Sequence, residues 1–99
     1  MKNGTRLHSQ VCDTQVIVVR SPDDLQDLRA GGVPMVPLGI DASPEASLNV
    51  EFSSGNLMGK RYVDDDGAEV LVTKAGVGTL SIGDTPLRIK EAKALPASD

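Results

Sequence analysis

Gln15-Val16-Ile17-Val18-Val19-Arg20 is the stretch that decides the fold. Four consecutive apolar residues, all β-branched, stand between polar neighbours. β-Branched side chains lose rotamer freedom in a helix and pack well on a pleated surface. A short unbroken run of them reads as a strand buried on both faces. Upstream, Thr5 to Val11 is expected to be its hairpin partner, with the bend at Cys12-Asp13-Thr14. Downstream, Ser21-Pro22-Asp23-Asp24 carries helix-start signals: a capping hydroxyl, a proline suited to the first helical position, and two acids for the positive end of the dipole. Leu25 and Leu28 would share one face of a helix of at most two turns, ended by Gly31-Gly32. A long acidic loop is the alternative for that segment.

Further along, the pattern stays β. Leu48, Val50 and Phe52 alternate with Asn49, Glu51 and Ser53, which predicts a short half-buried strand. Ser43-Pro44-Glu45 predicts a single helical turn. Leu57 to Val63 and Ala68 to Lys74 read as two strands around an Asp-Gly turn, Asp64-Asp65-Asp66-Gly67. Val70 and Val72 then face one way. Ala75 to Gly78 turns, Thr79 to Ile82 returns with Leu80 and Ile82 on one face, and Gly83-Asp84 turns again. Leu87 and Ile89 alternate with Arg88 and Lys90, and the polar tail from Glu91 to Asp99 is expected on the surface. The expected fold class is therefore mostly β, an N-terminal ribbon-like hairpin (7–36) followed by a β-meander (48–90), in one small domain spanning 1–99. Its core would draw on Val16, Val18, Leu71, Leu80, Ile82 and Leu87.

Composition narrows the function classes. Hydrophobic residues make up 39% of the 99-residue chain, but Phe52 and Tyr62 are the only aromatics and the net charge is −4. Stacked-base recognition needs aromatic platforms, and nucleic-acid modules carry a basic stripe. No nucleic-acid partner is expected, and an acidic chain gains nothing from an anionic membrane surface. No apolar run approaches the ~20 residues of a membrane span. The single cysteine cannot form an internal disulfide, and no apolar signal core follows the N-terminus. The expected location is the cytoplasm.

Ser9-Gln10-Val11-Cys12, the Val16–Val19 run, and Ala30-Gly31-Gly32-Val33-Pro34-Met35 together carry a resemblance. Residues 7–36 resemble the small iron- or zinc-binding ribbon of desulforedoxin and of the desulfoferrodoxin N-terminal domain, a rubredoxin-like zinc ribbon. That family pattern is a Cys-x-x-Cys knuckle, a valine run, a loop and a Cys-Cys-Gly-x-x-Met segment. Cys12 matches the second knuckle cysteine. Ser9, Ala30 and Gly31 stand where the other three would be. The resemblance implies a ribbon whose metal site has been lost, so that packing replaces the metal in holding the fold.

Few residues offer chemistry. Cys12 and His8 are the residual candidates for a metal, but a closed tetrahedral centre needs four donors and alanine and glycine supply none. No metal site and no cofactor is expected, with zinc or iron as the alternative. Cys12 is expected to be a small buried hydrophobe, the usual state of a free cysteine. Cys–His catalysis would need a bend to bring His8 to Cys12, and no catalytic residue is assigned. Gly55 to Lys60 lacks the phosphate-loop spacing, and the acidic turn lacks the twelve-residue calcium-loop spacing. Lys60, Arg61 and Lys74 stand beside flexible backbone and are the candidate contacts for an anion or a partner. The expected function is that of a non-catalytic accessory subunit or protein-interaction module, engaging a larger protein or a second copy of itself. A metal-binding ribbon with an incomplete or intersubunit ligand set is the alternative.

Overall fold

The computed structural model describes residues 2–21 and 27–90. The chain is mostly β and forms a small single domain of two antiparallel sheets. Among the described residues ten strands run in chain order: β1 Arg6–His8, β2 Gln15–Arg20, β3 Leu28–Ala30, β4 Val33–Pro34, β5 Val36–Pro37, β6 Arg61–Val63, β7 Glu69–Lys74, β8 Leu80–Ile82, β9 Thr85–Pro86 and β10 Arg88–Ile89. Sheet A has the order β10-β6-β7-β2-β1-β5, and sheet B the order β4-β3-β8-β9.

The valine run lies at the centre of sheet A. β1 pairs with β2 in the expected hairpin, with Leu7 opposite Val16. β7 flanks β2 on the other side, with Val16 opposite Val72 and Val18 opposite Val70. Burial on both faces is corrected here: Val16 and Val18 are 1% exposed, while Ile17 and Val19 are half-buried. Sheet B supplies an apolar layer against one face of sheet A only. One continuous core joins Leu7, Val16, Val18, Val70 and Val72 of sheet A to Leu28, Ala30 and Leu80 of sheet B. Of the expected core residues, Leu71 and Ile82 are only half-buried.

Other expectations change. Leu28 belongs to strand β3, not to a helix, and Pro22 to Gln26 lie outside the described residues, as does the tail from 91. Gly31 and Gly32 both adopt positive φ, 68° and 79°, between the paired residues Ala30 and Val33. Two central residues of that hand make a tight turn whose twist matches its strands, so the glycines close a hairpin. The alternating Leu48-Val50-Phe52 segment is a 3-10 turn, Val50–Phe52. Asn49 caps it by accepting the Glu51 N–H, its own N–H donates to the Gly31 carbonyl, and Val50 is left 80% exposed. Ser43 to Ala46 forms a hydrogen-bonded turn, not the expected helical one. Of the strand expected over 57–63, only β6 is extended.

In the second half β6–β7 and β8–β9 are antiparallel hairpins in different sheets, and β7 does not pair with β8. β6 and β7 join around Asp64, whose carboxylate accepts the N–H groups of Asp66 and Ala68. β8 and β9 form a hairpin in sheet B. The chain then returns to sheet A as β10, beside β6.

Candidate functional site

The bend between β1 and β2 carries Cys12, and residues far along the chain fold over it. Ser9 starts the bend: its N–H donates to the Thr14 carbonyl at 2.8 Å, and its hydroxyl accepts the N–H groups of Val11 (3.0 Å) and Cys12 (3.1 Å). Thr14 is fully buried. Asn56, also buried, reaches in from the loop before β6 and fixes the local polarity. Its Oδ1 accepts the Gly76 N–H, so its Nδ2 is the donor end and gives hydrogen bonds to Thr14 Oγ1 (2.7 Å) and to the Gly78 carbonyl (2.8 Å). Thr14 Oγ1 accepts from Asn56 and shares a hydrogen bond with Cys12 Sγ, 3.1 Å away, in which the hydroxyl is the donor once the sulfur is a thiolate.

Cys12 is half-buried and its sulfur is hydrogen-bonded, which corrects the expectation of a packed apolar thiol. The thiol sits among donors. Burial pushes its pKa up, but hydrogen bonds from the Ser9 and Thr14 hydroxyls and from the Thr14 and Gly78 backbone outweigh that and hold it below its ordinary value. Donors that favour the thiolate are the physical route to a more reactive cysteine.

Two glycines make room for this arrangement. A Cβ on Gly76 would stand 2.5 Å from Thr14 Oγ1 and 2.6 Å from its backbone nitrogen. One on Gly78 would stand 2.6 Å from the Gly31 nitrogen and 3.1 Å from the Ala30 carbonyl carbon. Gly78 thus lies between the loop of Ser9 and Cys12 and the turn of Ala30 and Gly31. The Gly78 backbone also hydrogen-bonds Cys12, whose N–H is held by Ser9.

His8 points its chemistry elsewhere. Its Nδ1 lies 2.9 Å from the Ser9 carbonyl and its Nε2 2.6 Å from that of Ile40, which ties β1 to the segment after β5. Among the described residues no group of three His, Cys, Asp or Glu side chains comes together. The three candidate cations are dispersed. Arg61 donates to Glu69 at 3.1 Å, and Lys90 meets the other carboxylate oxygen of Glu69 at 3.1 Å. The Glu69 side chain is only 4% exposed; burial pushes its pKa up, but Lys90 and then Arg61 overcome this and hold it below the usual carboxylate value. Lys60 is exposed on the loop before β6. Lys74, at the end of β7, lines a concavity with Arg6.

The four sheet edges differ in a way the residue-by-residue reading missed. β4 carries Pro34, β5 carries Pro37 and β9 carries Pro86, so three edges contain a residue that cannot donate to an added strand. The fourth, β10, has Arg88 and Ile89 and no proline. Single prolines scattered between 34 and 86 look like loop punctuation until the strand order shows where they fall.

Large apolar side chains are exposed on the loops that meet near Asn56. Leu57 is 54% exposed, Met58 70% and Val77 56%. The loops are pinned together by the Gly55 N–H to Val77 carbonyl and Asn56 N–H to Gly76 carbonyl bonds. No helix among the described residues is long and apolar enough to cross a membrane. Comparison with family models, with curated proteins and with solved structures finds no match to this chain.

Proposed function

We propose that this protein is a non-catalytic interaction module that binds an extended segment of a larger protein as an added strand on β10. The observation that carries this reading is the asymmetry of the edges: three carry proline and β10 does not. Unpaired strand edges recruit other chains, and proline is one of the residues that prevent it. An edge left without that protection is where strand addition is permitted.

The geometry of β10 suits the role. The Lys90 N–H donates to the Arg61 carbonyl, and Ile89 lies opposite Tyr62. Hydrogen-bonded and open pairs alternate in an antiparallel ladder, so the Ile89 N–H and C=O point away from β6. Val63, Arg88, Ile89 and Lys90 line a shallow concavity beside this edge, a place for a partner side chain. The test is Ile89→Pro. It removes only the outward N–H and should leave the sheet intact. A protein retained from native lysate by the parent chain and lost with Ile89→Pro, at unchanged circular dichroism, supports the reading. Equal retention by both overturns it.

A metal-binding ribbon completed across two copies is the second reading, motivated by Gly78 lying against both Cys12 and the Ala30-Gly31 turn. Elemental analysis of protein purified without chelator tests it. Zinc or iron far below one atom per two chains would remove it.

A further inference from the structure

Sheet A carries a concavity of about 390 Å³ on the face turned away from the core. Ile17 forms its floor and Leu38 one wall, with Arg6, Gln15, Thr73 and Lys74 around them. No carboxylate lines it, in a chain with 14 acidic and 10 basic residues. The ion pairs of the described residues employ Arg29, Arg61, Arg88 and Lys90. Arg6 and Lys74 pair with no described carboxylate. Two uncommitted cations on one apolar-floored depression make a local field opposite to that of the whole molecule.

Strand pairing places the two cations on opposite sides of β2. Arg6 on β1 is in register with Ile17, and Lys74 on β7 with Gln15. With strands ~4.8 Å apart and a rise of ~3.3 Å per residue, their Cα atoms stand roughly 12 Å apart. Both side chains are long enough to meet over the floor between them. Thr73 is held by its hydroxyl bond to the Gln15 carbonyl. The Gln15 amide has no described partner and adds N–H donors. β2 and β7 are the longest of the described strands, so the floor is preformed.

We propose that this concavity binds a small organic anion, a carboxylate or phosphate monoester carried on a short apolar stem. The anionic head lies between the Arg6 guanidinium and the Lys74 ammonium, and the stem covers Ile17 and Leu38. A guanidinium offers two parallel donors to such a head, and the volume lies within the range of small-molecule sites. The site is separate from the β10 edge, and either can fail alone.

Amide chemical shifts of the uniformly labelled chain, titrated with hexanoate, hexyl phosphate, inorganic phosphate and hexanol, test this. Expected are saturable shifts at residues 6, 15–17, 38, 73 and 74 with hexanoate or hexyl phosphate, at about millimolar affinity for so exposed a site. The tighter of the two identifies the head group. Arg6→Gln and Lys74→Gln should each weaken binding by about tenfold or more, with folded spectra unchanged. The proposal is overturned by the absence of saturable shifts, by shifts clustered elsewhere, by hexanol or inorganic phosphate binding as tightly as hexanoate, or by insensitivity to both substitutions.

Discussion

At the scale of single residues, the arrangement around Cys12 is set by the orientation of one amide. Gly76 fixes Asn56 Oδ1, Asn56 donates to Thr14, and the Thr14 hydroxyl hydrogen-bonds the sulfur, as donor when it is a thiolate. Removing one hydroxyl should therefore change the thiol. Alkylation of Cys12 by iodoacetamide, followed as pH rises, should show a midpoint below that of an unstructured cysteine peptide measured alongside. Thr14→Val keeps the side-chain shape, and should move that midpoint up and lower stability by about 1–2 kcal/mol. A midpoint unchanged by the substitution would mean that Thr14 does not hold the thiolate. The sequence shows Ser9 and Thr14 flanking Cys12. It does not show that Asn56, 42 residues beyond Thr14, closes over them. Spacing encodes neighbours along the chain, and this site is made by contacts across it.

At the scale of elements, β6, β7 and β10 are held together on one face by Glu69. Its folded pKa lies below the ordinary 4.5, so its ion pairs add stability above that value, and the contribution is lost as pH falls through the folded pKa. Glu69→Gln should lower stability at pH 7 by about 1–3 kcal/mol, reduced from the fully buried case because Arg61 and Lys90 are half-exposed. Urea midpoints at pH 7 and pH 3 check this: the gap between the variant and the parent should narrow at pH 3. The loops carry a second constraint. Gly78→Ala must push backbone against backbone at Gly31, and should cost about 2–3 kcal/mol by urea denaturation. Elements marked by local chemistry were legible: the β1–β2 hairpin, the acidic turn before β7 and the Gly83-Asp84 turn all form. Leu48-Val50-Phe52 was misread because three alternating apolar residues fit a strand or an Asn-capped turn equally well. Leu28 was misread because a helix-start signal says nothing about where the helix would have to pack.

At the scale of the whole molecule, the edges bear on what the protein can join. If Pro34, Pro37 and Pro86 act as guards, replacing all three with threonine should restore donors to β4, β5 and β9. The triple variant should self-associate with rising concentration more strongly than the parent, measured by static light scattering. Equal scattering would mean that the short length of these strands already suffices. The mostly β class was legible because alternation and turn residues mark each strand locally. The division into two sheets was not, because it depends on β7 choosing β2, and not β8, as its second neighbour.

Tyr62 lies 7% exposed across from Ile89, and its hydroxyl oxygen accepts the Leu57 N–H at 3.0 Å. The chain has no tryptophan and no other tyrosine. Tyr62 thus dominates its ultraviolet emission, Phe52 being a far weaker emitter, and the ring is seated between the β10 edge and the apolar loop. The molecule carries a built-in optical reporter: a tryptophan-free segment that docks on β10 can be followed by tyrosine fluorescence, with no label attached.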